Sequence, residues 1–240
     1  MVTRDTDAPL YTQIKNAIQR SIETGELKPG DLAPSERDLA ERYHVSRMTA
    51  RHALQNLATE GFIHRYQGKG SFIADPKIEE SLLELVSFSE DMQRRGLIPS
   101  TKVVSVKQES PERAIAQALG IDLGNQVTRI ERLRFASGQP MALETSFIPS
   151  ELCSGIEHQD LTGSLYALLE TTYDLRLARA EQTLEGLPAG EREAELLAIH
   201  AGDVLLRLKR TSFDAGGLAV EYVHALYRAD KYIFFANLER

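Results

Sequence analysis

The 240 residues are 42% hydrophobic and 26% charged, the balance of a globular chain long enough for one large domain or two ordinary ones. No apolar run approaches the ~18–20 residues of a membrane span, and Met1 to Thr12 holds no hydrophobic signal-peptide core, so the expected location is the cytoplasm. A single cysteine, Cys153, excludes an intramolecular disulfide or a cysteine-rich metal site and reads as a small, partly buried hydrophobe.

The net charge of −7 argues at first against a nucleic-acid partner. Its distribution reverses that. Residues 1–75 carry ten Lys/Arg and ten Asp/Glu, so the whole excess lies in residues 76–240, with 18 against 25. Between Arg42 and Gly70, five basic residues (Arg42, Arg47, Arg51, Arg65, Lys69) face Glu60 alone. A basic patch on an acidic chain suits a DNA surface attached to a unit with another task.

In chain order, Leu10, Ile14, Ala17, Ile18 and Ile22 recur at helical spacing, and Gly25 with Pro29-Gly30 ends that helix. Ser35 is placed to cap a second helix running to about Tyr43. The turn His44-Val45-Ser46 leads to a third, with Ser46 as its cap. Ala50, Ala53, Leu54 and Leu57 form its buried stripe, while Arg47, Arg51 and Gln55 stand on another face. Phe62–Tyr66 and Ser71–Ile73 read as strands around Gln67-Gly68-Lys69-Gly70. Three helices and a glycine-turned hairpin are the order of a winged helix-turn-helix, whose third helix enters a major groove. Taken singly, Arg47 or Arg51 is a solvated helix residue; within the full order each reads as a DNA contact.

Asp75 to Ser81 is polar, contains Pro76 and lacks periodicity, as a linker does. Beyond it, no internal repeat is visible in the sequence. Helices are expected over 88–95, 111–119, 161–169 and 191–197. Strands are expected over 101–106, 126–135, 141–148, 175–187, 204–213 and 218–228. The fold class is therefore α+β, an antiparallel sheet with interspersed helices. Arg132 and Arg134 share a strand face with Ile130, and Glu221, Val223, Ala225 and Tyr227 share another. Paired guanidiniums suit a phosphate or carboxylate. From spacing alone, surface ion pairs account for these residues more simply.

Leu10-Tyr11-x-Gln13-Ile14, Gly25-x-Leu27-x-Pro29-Gly30-Asp31 and Pro34-Ser35-Glu36-Arg37-x-Leu39-Ala40 resemble the GntR family of bacterial regulators. Val45-Ser46-Arg47-x-Thr49-x-Arg51-x-Ala53-Leu54, Glu60-Gly61 and Gly68-Lys69-Gly70-Ser71-Phe72 extend the resemblance to about residues 8–74. It implies that Arg37, Arg47 and Arg51 contact DNA, with Ser46 and Thr49 on phosphates or bases. It also implies that Gly68, Lys69 and Gly70 place the wing in the minor groove. Ala33 and Ala50 stand where the family commonly has larger aliphatic residues.

Residues 82–240 resemble the effector-sensing (UTRA) domain of the HutC subfamily, for which a chorismate-lyase-like fold is implied. The motifs are Ser87-Phe88-Ser89-Glu90-Asp91-Met92, Arg129-x-x-Arg132-Leu133-Arg134, Gly138-x-Pro140-x-Ala142-x-Glu144, Ser164-Leu165-Tyr166 and Val220-Glu221-Tyr222 through Asp230. Among its members the amino-sugar (N-acetylglucosamine utilisation) repressors are most alike. That resemblance implies that Ser89, Arg132, Arg134, Ser164 and Tyr166 hold a phosphate, with Phe88, Glu144, Glu221 and Tyr227 lining the sugar side. The expected domains are 1–74, a linker at 75–81, and 82–240. The expected function is regulation of transcription by a homodimer on double-stranded operator DNA. Repression of sugar or amino-sugar utilisation genes, modulated by glucosamine 6-phosphate or N-acetylglucosamine 6-phosphate, is its most specific form. Two alternatives stand beside it: a sensor of a carboxylate such as urocanate or a fatty acid, and a chorismate-lyase-like enzyme. Against the enzyme, no nucleophile–base or metal-ligand spacing is visible; no cofactor and no metal are expected.

Overall fold

The computed structural model describes residues 8–66 and 70–238, which divide into two compact units, Met1–Ile78 and Glu79–Arg240. Gly68 and Lys69 lie outside the described residues.

In the first unit, helix α1 (Leu10–Glu23) buries Ile14 and Ile18, two of the residues whose spacing predicts it. Helix α2 (Glu36–Tyr43) opens on a capping box: the Asp38 amide donates to Ser35 Oγ at 3.2 Å, and the Ser35 amide donates to the Asp38 carboxylate at 3.1 Å. His44 then turns the chain with a left-handed backbone (φ 52°) and donates its amide to the Ala40 carbonyl. Three residues on, α3 (Arg47–Thr59) begins, with Ser46 Oγ accepting from the Thr49 amide at 3.1 Å. Strands β1 (Ile63–Tyr66) and β2 (Gly70–Ile73) pair antiparallel, and Leu32 adds a bridge to Phe72. Leu39, Ala50, Ala53, Leu54 and Leu57 close with Ile14, Ile18, Ile63 and Ile73 into one core. Ala33 and Ala50 are both buried in it.

The second unit opens on β3 (Ile78–Ser81), whose first residue is the last of the first unit, within the polar segment 75–81. It continues with α4 (Phe88–Arg94), β4 (Pro99–Glu109), α5 (Arg113–Leu119), β5 (Val127–Ala136) and β6 (Gln139–Pro149). Then follow α6 (Leu165–Tyr173), β7 (Arg179–Pro188), α7 (Glu191–Leu197), β8 (Val204–Phe213), β9 (Ala219–Arg228) and β10 (Tyr232–Phe235). Six strands form one antiparallel sheet in the order β4-β5-β6-β9-β8-β7, and β3 pairs with β10. The order is symmetric about its centre. Helix–strand–helix–strand–strand occurs twice, as α4-β4-α5-β5-β6 and as α6-β7-α7-β8-β9, joined where β6 meets β9. The sequence shows no sign of this, because the two halves share topology and not residues.

Strand alternation sorts the side chains. Leu133 and Leu143 face a core with Leu197 of α7, and Val127 and Phe147 face one with Ile115 and Leu119 of α5. Ile130 and Ile148 point the opposite way, onto Leu165 and Leu169 of α6. Arg132 and Arg134 follow Ile130 to that second face.

Three expected boundaries move for local reasons. The β5–β6 turn, read as five residues, closes in two: Ser137 (φ 47°) and Gly138 (φ 83°) both adopt positive φ, the tightest hairpin geometry. Pro140 is accommodated inside β6 at a register shift between Arg134 and Phe135. Helix α6 starts at Leu165 instead of Leu161, because Asp160 accepts from both the amide (2.9 Å) and the hydroxyl (2.6 Å) of Thr162, fixing a turn there. The strand expected from Leu175 begins at Arg179. Cys153 is buried, its thiol donating to the Pro149 carbonyl at 3.8 Å, and burial pushes its pKa up to about 12, so it is inert.

Candidate functional site

Two surfaces carry the residues singled out from sequence. On the first unit, Arg47 and Arg51 are exposed one helical turn apart on α3, and Arg37 is exposed on α2. Arg37 has only a 3.9 Å approach to exposed Glu41, which water screens almost completely. Ser46 and Thr49 share a 2.8 Å hydrogen bond between their hydroxyls at the N-terminus of α3, so whichever accepts in that bond keeps its own proton for one more oxygen. Gly70 opens β2 at φ 106°, a backbone conformation that residues other than glycine rarely adopt, and a Cβ there would also press on Leu32 Cδ1 at 3.0 Å. Met48, not picked out from sequence, is 69% exposed between Arg47 and Arg51. An apolar side chain offered to solvent on a recognition helix suits a thymine methyl. His52, by contrast, stacks on Tyr11 at 4.1 Å.

On the second unit, side chains from seven elements converge on the α4/α6 face of the sheet. Arg132 and Arg134 of β5 are 4% and 1% exposed. Arg132 donates to Glu144 at 3.1 Å and to the Gly163 carbonyl at 3.3 Å. Arg134 donates to Ser89 Oγ at 2.9 Å, approaches Glu144 at 3.4 Å, and lies 4.7 Å from the Phe88 ring centre. The register Arg132↔Glu144 across β5–β6 makes this inevitable. Glu144 therefore stands between the two guanidiniums. Each arginine keeps a buried Nε without a hydrogen-bond partner, a costly arrangement that a ligand oxygen relieves.

Opposite them, β8 supplies Arg210, and β9 supplies Glu221 and Tyr227. Burial pushes the Glu221 carboxyl up and the Tyr227 phenol well above its usual value. Burial likewise pushes the Tyr166 phenol up to about 12, and Arg210 bonds it. Both tyrosines are thus neutral donors at any physiological pH. Ser164 caps α6, accepting from the Ala167 amide at 3.3 Å; its neighbours Leu165 and Tyr166 line the cavity and it does not. Arg210 and Glu80 also line it, and neither is singled out from sequence. The signal for Arg210 is visible in retrospect: Leu208-x-Arg210 repeats the alternation of Ile130-x-Arg132. The cavity measures about 40 Å³, room for about one water molecule.

A winged helix-turn-helix joined to a sheet whose one face gathers three arginines defines a DNA-binding regulator with a small-molecule effector domain. The matching family models agree. Residues 10–73 match "Bacterial regulatory proteins, gntR family", and residues 94–233 match the UTRA domain. The chain belongs to the GntR family, in its UTRA-bearing HutC branch. It is 36% identical to the HTH-type transcriptional repressor NagR of Bacillus subtilis, over 100% of this chain and 98% of that one. It is 29% identical to the mannosyl-D-glycerate transport/metabolism system repressor MngR of Escherichia coli, over 97% of both. The crystal structure of PhnF from Mycobacterium smegmatis superposes with TM-score 0.68 at 30% identity, covering 94% of this chain and 99% of that one. These relatives are transcriptional regulators, not enzymes. Among the described residues no helix is long and apolar enough to cross a membrane.

Proposed function

We propose that the chain is a homodimeric repressor of sugar or amino-sugar utilisation genes whose operator affinity is modulated by a phosphorylated sugar, glucosamine 6-phosphate or N-acetylglucosamine 6-phosphate. The observation that carries the effector class is the Arg132–Arg134 pair: two buried guanidiniums, each with a spare Nε, beside the Ser89 hydroxyl. Three arginines and two phenols offer more donors than a carboxylate can use, and a phosphate has the oxygens to take them. Glu221 supplies an acceptor for sugar hydroxyls. Relatives named for mannosyl-D-glycerate and fructoselysine utilisation support the sugar class.

Arg37, Arg47, Arg51, Ser46 and Thr49 contact operator DNA in this reading, with the wing tip Gly68-Lys69-Gly70 on the minor groove. A two-fold pair of such units reads two half-sites. A cavity of about 40 Å³ is far below the ~300 Å³ of a ligand-sized pocket, so effector entry must move its walls, and Phe88 and Ser89 at the start of α4 are bound directly to Arg134. The effector acts on DNA only through that difference between states. Thermal shift of the full chain with the two amino-sugar phosphates, other sugar phosphates and urocanate tests the reading. Stabilisation by a phosphorylated sugar is expected; stabilisation by urocanate alone, or by none of them, refutes the effector class.

A further inference from the structure

One of the four carboxylates that line the pocket comes from an unexpected place. Glu80 lies on β3, the second residue of the effector unit, and lines the same cavity as Arg132, Arg134 and Arg210. The chain around it is pinned at three points. The Glu79 carbonyl accepts from Arg95, the Leu82 amide donates to the Phe235 carbonyl at 2.8 Å, and the Leu82 carbonyl accepts from Gln182 Nε2 at 2.8 Å. Gln182 sits opposite Arg210 in the β7–β8 register, and its Oε1 accepts from Arg210 Nε at 2.8 Å. One pocket guanidinium is thus bonded through a single amide side chain to the backbone two residues past Glu80.

We propose that Glu80 is a built-in competitor for anions at Arg210, and that the Arg210–Gln182–Leu82 relay passes the outcome of that competition to the segment entering from the DNA-binding unit. The inference rests on the anion-site reading above and assigns its regulation. Glu80 is faced by Arg210 of β8, Asp91 of α4, Arg95 at the C-cap of α4, Glu144 of β6, Tyr227 of β9 and Tyr232 of β10. Burial, aided by Asp91 and Glu144 against the pull of Arg210 and Arg95, raises its pKa to about 7. Near neutrality it exists in both charge states. Ionised, it neutralises Arg210; an arriving anion takes that guanidinium and drives Glu80 to the protonated form, so binding takes up a proton.

The test uses the full chain and N-acetylglucosamine 6-sulfate, whose charge does not titrate near pH 7, with N-acetylglucosamine 6-phosphate beside it. At pH 8, where Glu80 is about 90% ionised, Glu80→Gln is expected to bind the sulfate up to about tenfold more tightly than wild type by calorimetry. At pH 6 the two are expected to bind alike, which also shows the variant pocket to be intact. At saturating ligand, hydrogen exchange of residues 79–83 is expected to change in wild type and to change much less in Gln182→Met. Equal affinities at pH 8, or an advantage undiminished at pH 6, overturn the competitor; an undiminished exchange response in Gln182→Met overturns the relay. A wild type that binds neither ligand refutes the anion site and this inference together, whereas binding without these differences refutes the inference alone.

Discussion

Glu144→Gln isolates the electrostatics of the pocket with almost no change of shape. In the wild type one carboxylate serves two guanidiniums, at 3.1 Å from Arg132 and 3.4 Å from Arg134, with side chains 5% and 2% exposed. Breaking a buried pair by removing one partner costs about 3–5 kcal/mol, because the remaining charge is stranded. The lower figure applies here: Arg132 keeps the Gly163 carbonyl and Arg134 keeps Ser89 and the Phe88 ring. A loss of about 3 kcal/mol lowers the melting temperature by roughly 6–12 °C at about 2–4 °C per kcal/mol for a unit of this size. Inorganic phosphate then discriminates the cause. In the wild type it competes with Glu144; in the variant it replaces it. Binding at least about tenfold tighter returns about 1.4 kcal/mol of the deficit at saturation. Scanning calorimetry of both proteins across a phosphate series measures both effects. A variant that melts with the wild type, or equal stabilisation of the two by phosphate, refutes the claim that Glu144 stands in for a ligand anion.

Four further outcomes follow from the geometry. Arg51→Ala is exposed and leaves the fold intact; operator affinity is expected to fall, with the slope of log affinity against log salt reduced by about one where the contact is to a phosphate, and anisotropy titrations at several salt concentrations read this. Ser46→Ala removes the acceptor for the Thr49 amide at 3.1 Å and is expected to cost about 1 kcal/mol by urea denaturation, in addition to any lost DNA contact. Leu57→Ala opens the core shared by α1, α3 and β1 and is expected to cost about 2–5 kcal/mol in the same assay. Asp38 is held below the usual carboxylate range by hydrogen bonds from Ser35. A depressed folded pKa stabilises above the unfolded value and loses that contribution as pH falls through the folded one. Stability measured from pH 5 to pH 2 is therefore expected to fall less in Asp38→Asn than in wild type.

Much of the first unit was legible because its signals are local. Ser35, Ser46, Gly25 and the apolar spacings of α1 and α3 each act within four residues, and the structure uses them as the sequence predicts. The strands of the second unit were legible for the same reason, through alternation in Ile130-x-Arg132-x-Arg134 and Glu221-x-Val223-x-Ala225. Their partnering was not. That Glu144 lies between Arg132 and Arg134 depends on the β5–β6 register, which a two-residue turn at Ser137-Gly138 sets and a five-residue turn would not. Arg210 had only the alternation Leu208-x-Arg210 to mark it, because its place opposite the β5 arginines follows from the central β6–β9 pairing, between strands about eighty residues apart. Glu80 was invisible because a polar stretch containing Pro76 reads as linker, although Ile78–Ser81 pairs with the last strand of the chain.

The charges of the pocket make sense only as a set. Three guanidiniums buried together would repel one another and unfold the sheet face that holds them. Glu144, shared by Arg132 and Arg134, offsets one of their two charges, Glu80 when ionised offsets that of Arg210, and Glu221, held toward its neutral form by burial, adds none, so about one positive charge is left over. Such a site does not gain a phosphate so much as exchange an internal anion for an external one. The net attraction is moderate, but each exchange releases a carboxylate anchored to a particular element: Glu144 to the centre of the sheet, Glu80 to the strand next to the DNA-binding unit. A rigid, permanently cationic site would bind more tightly and report nothing. Internal neutralisation is what lets occupancy of the pocket alter the chain on which the DNA-reading unit hangs.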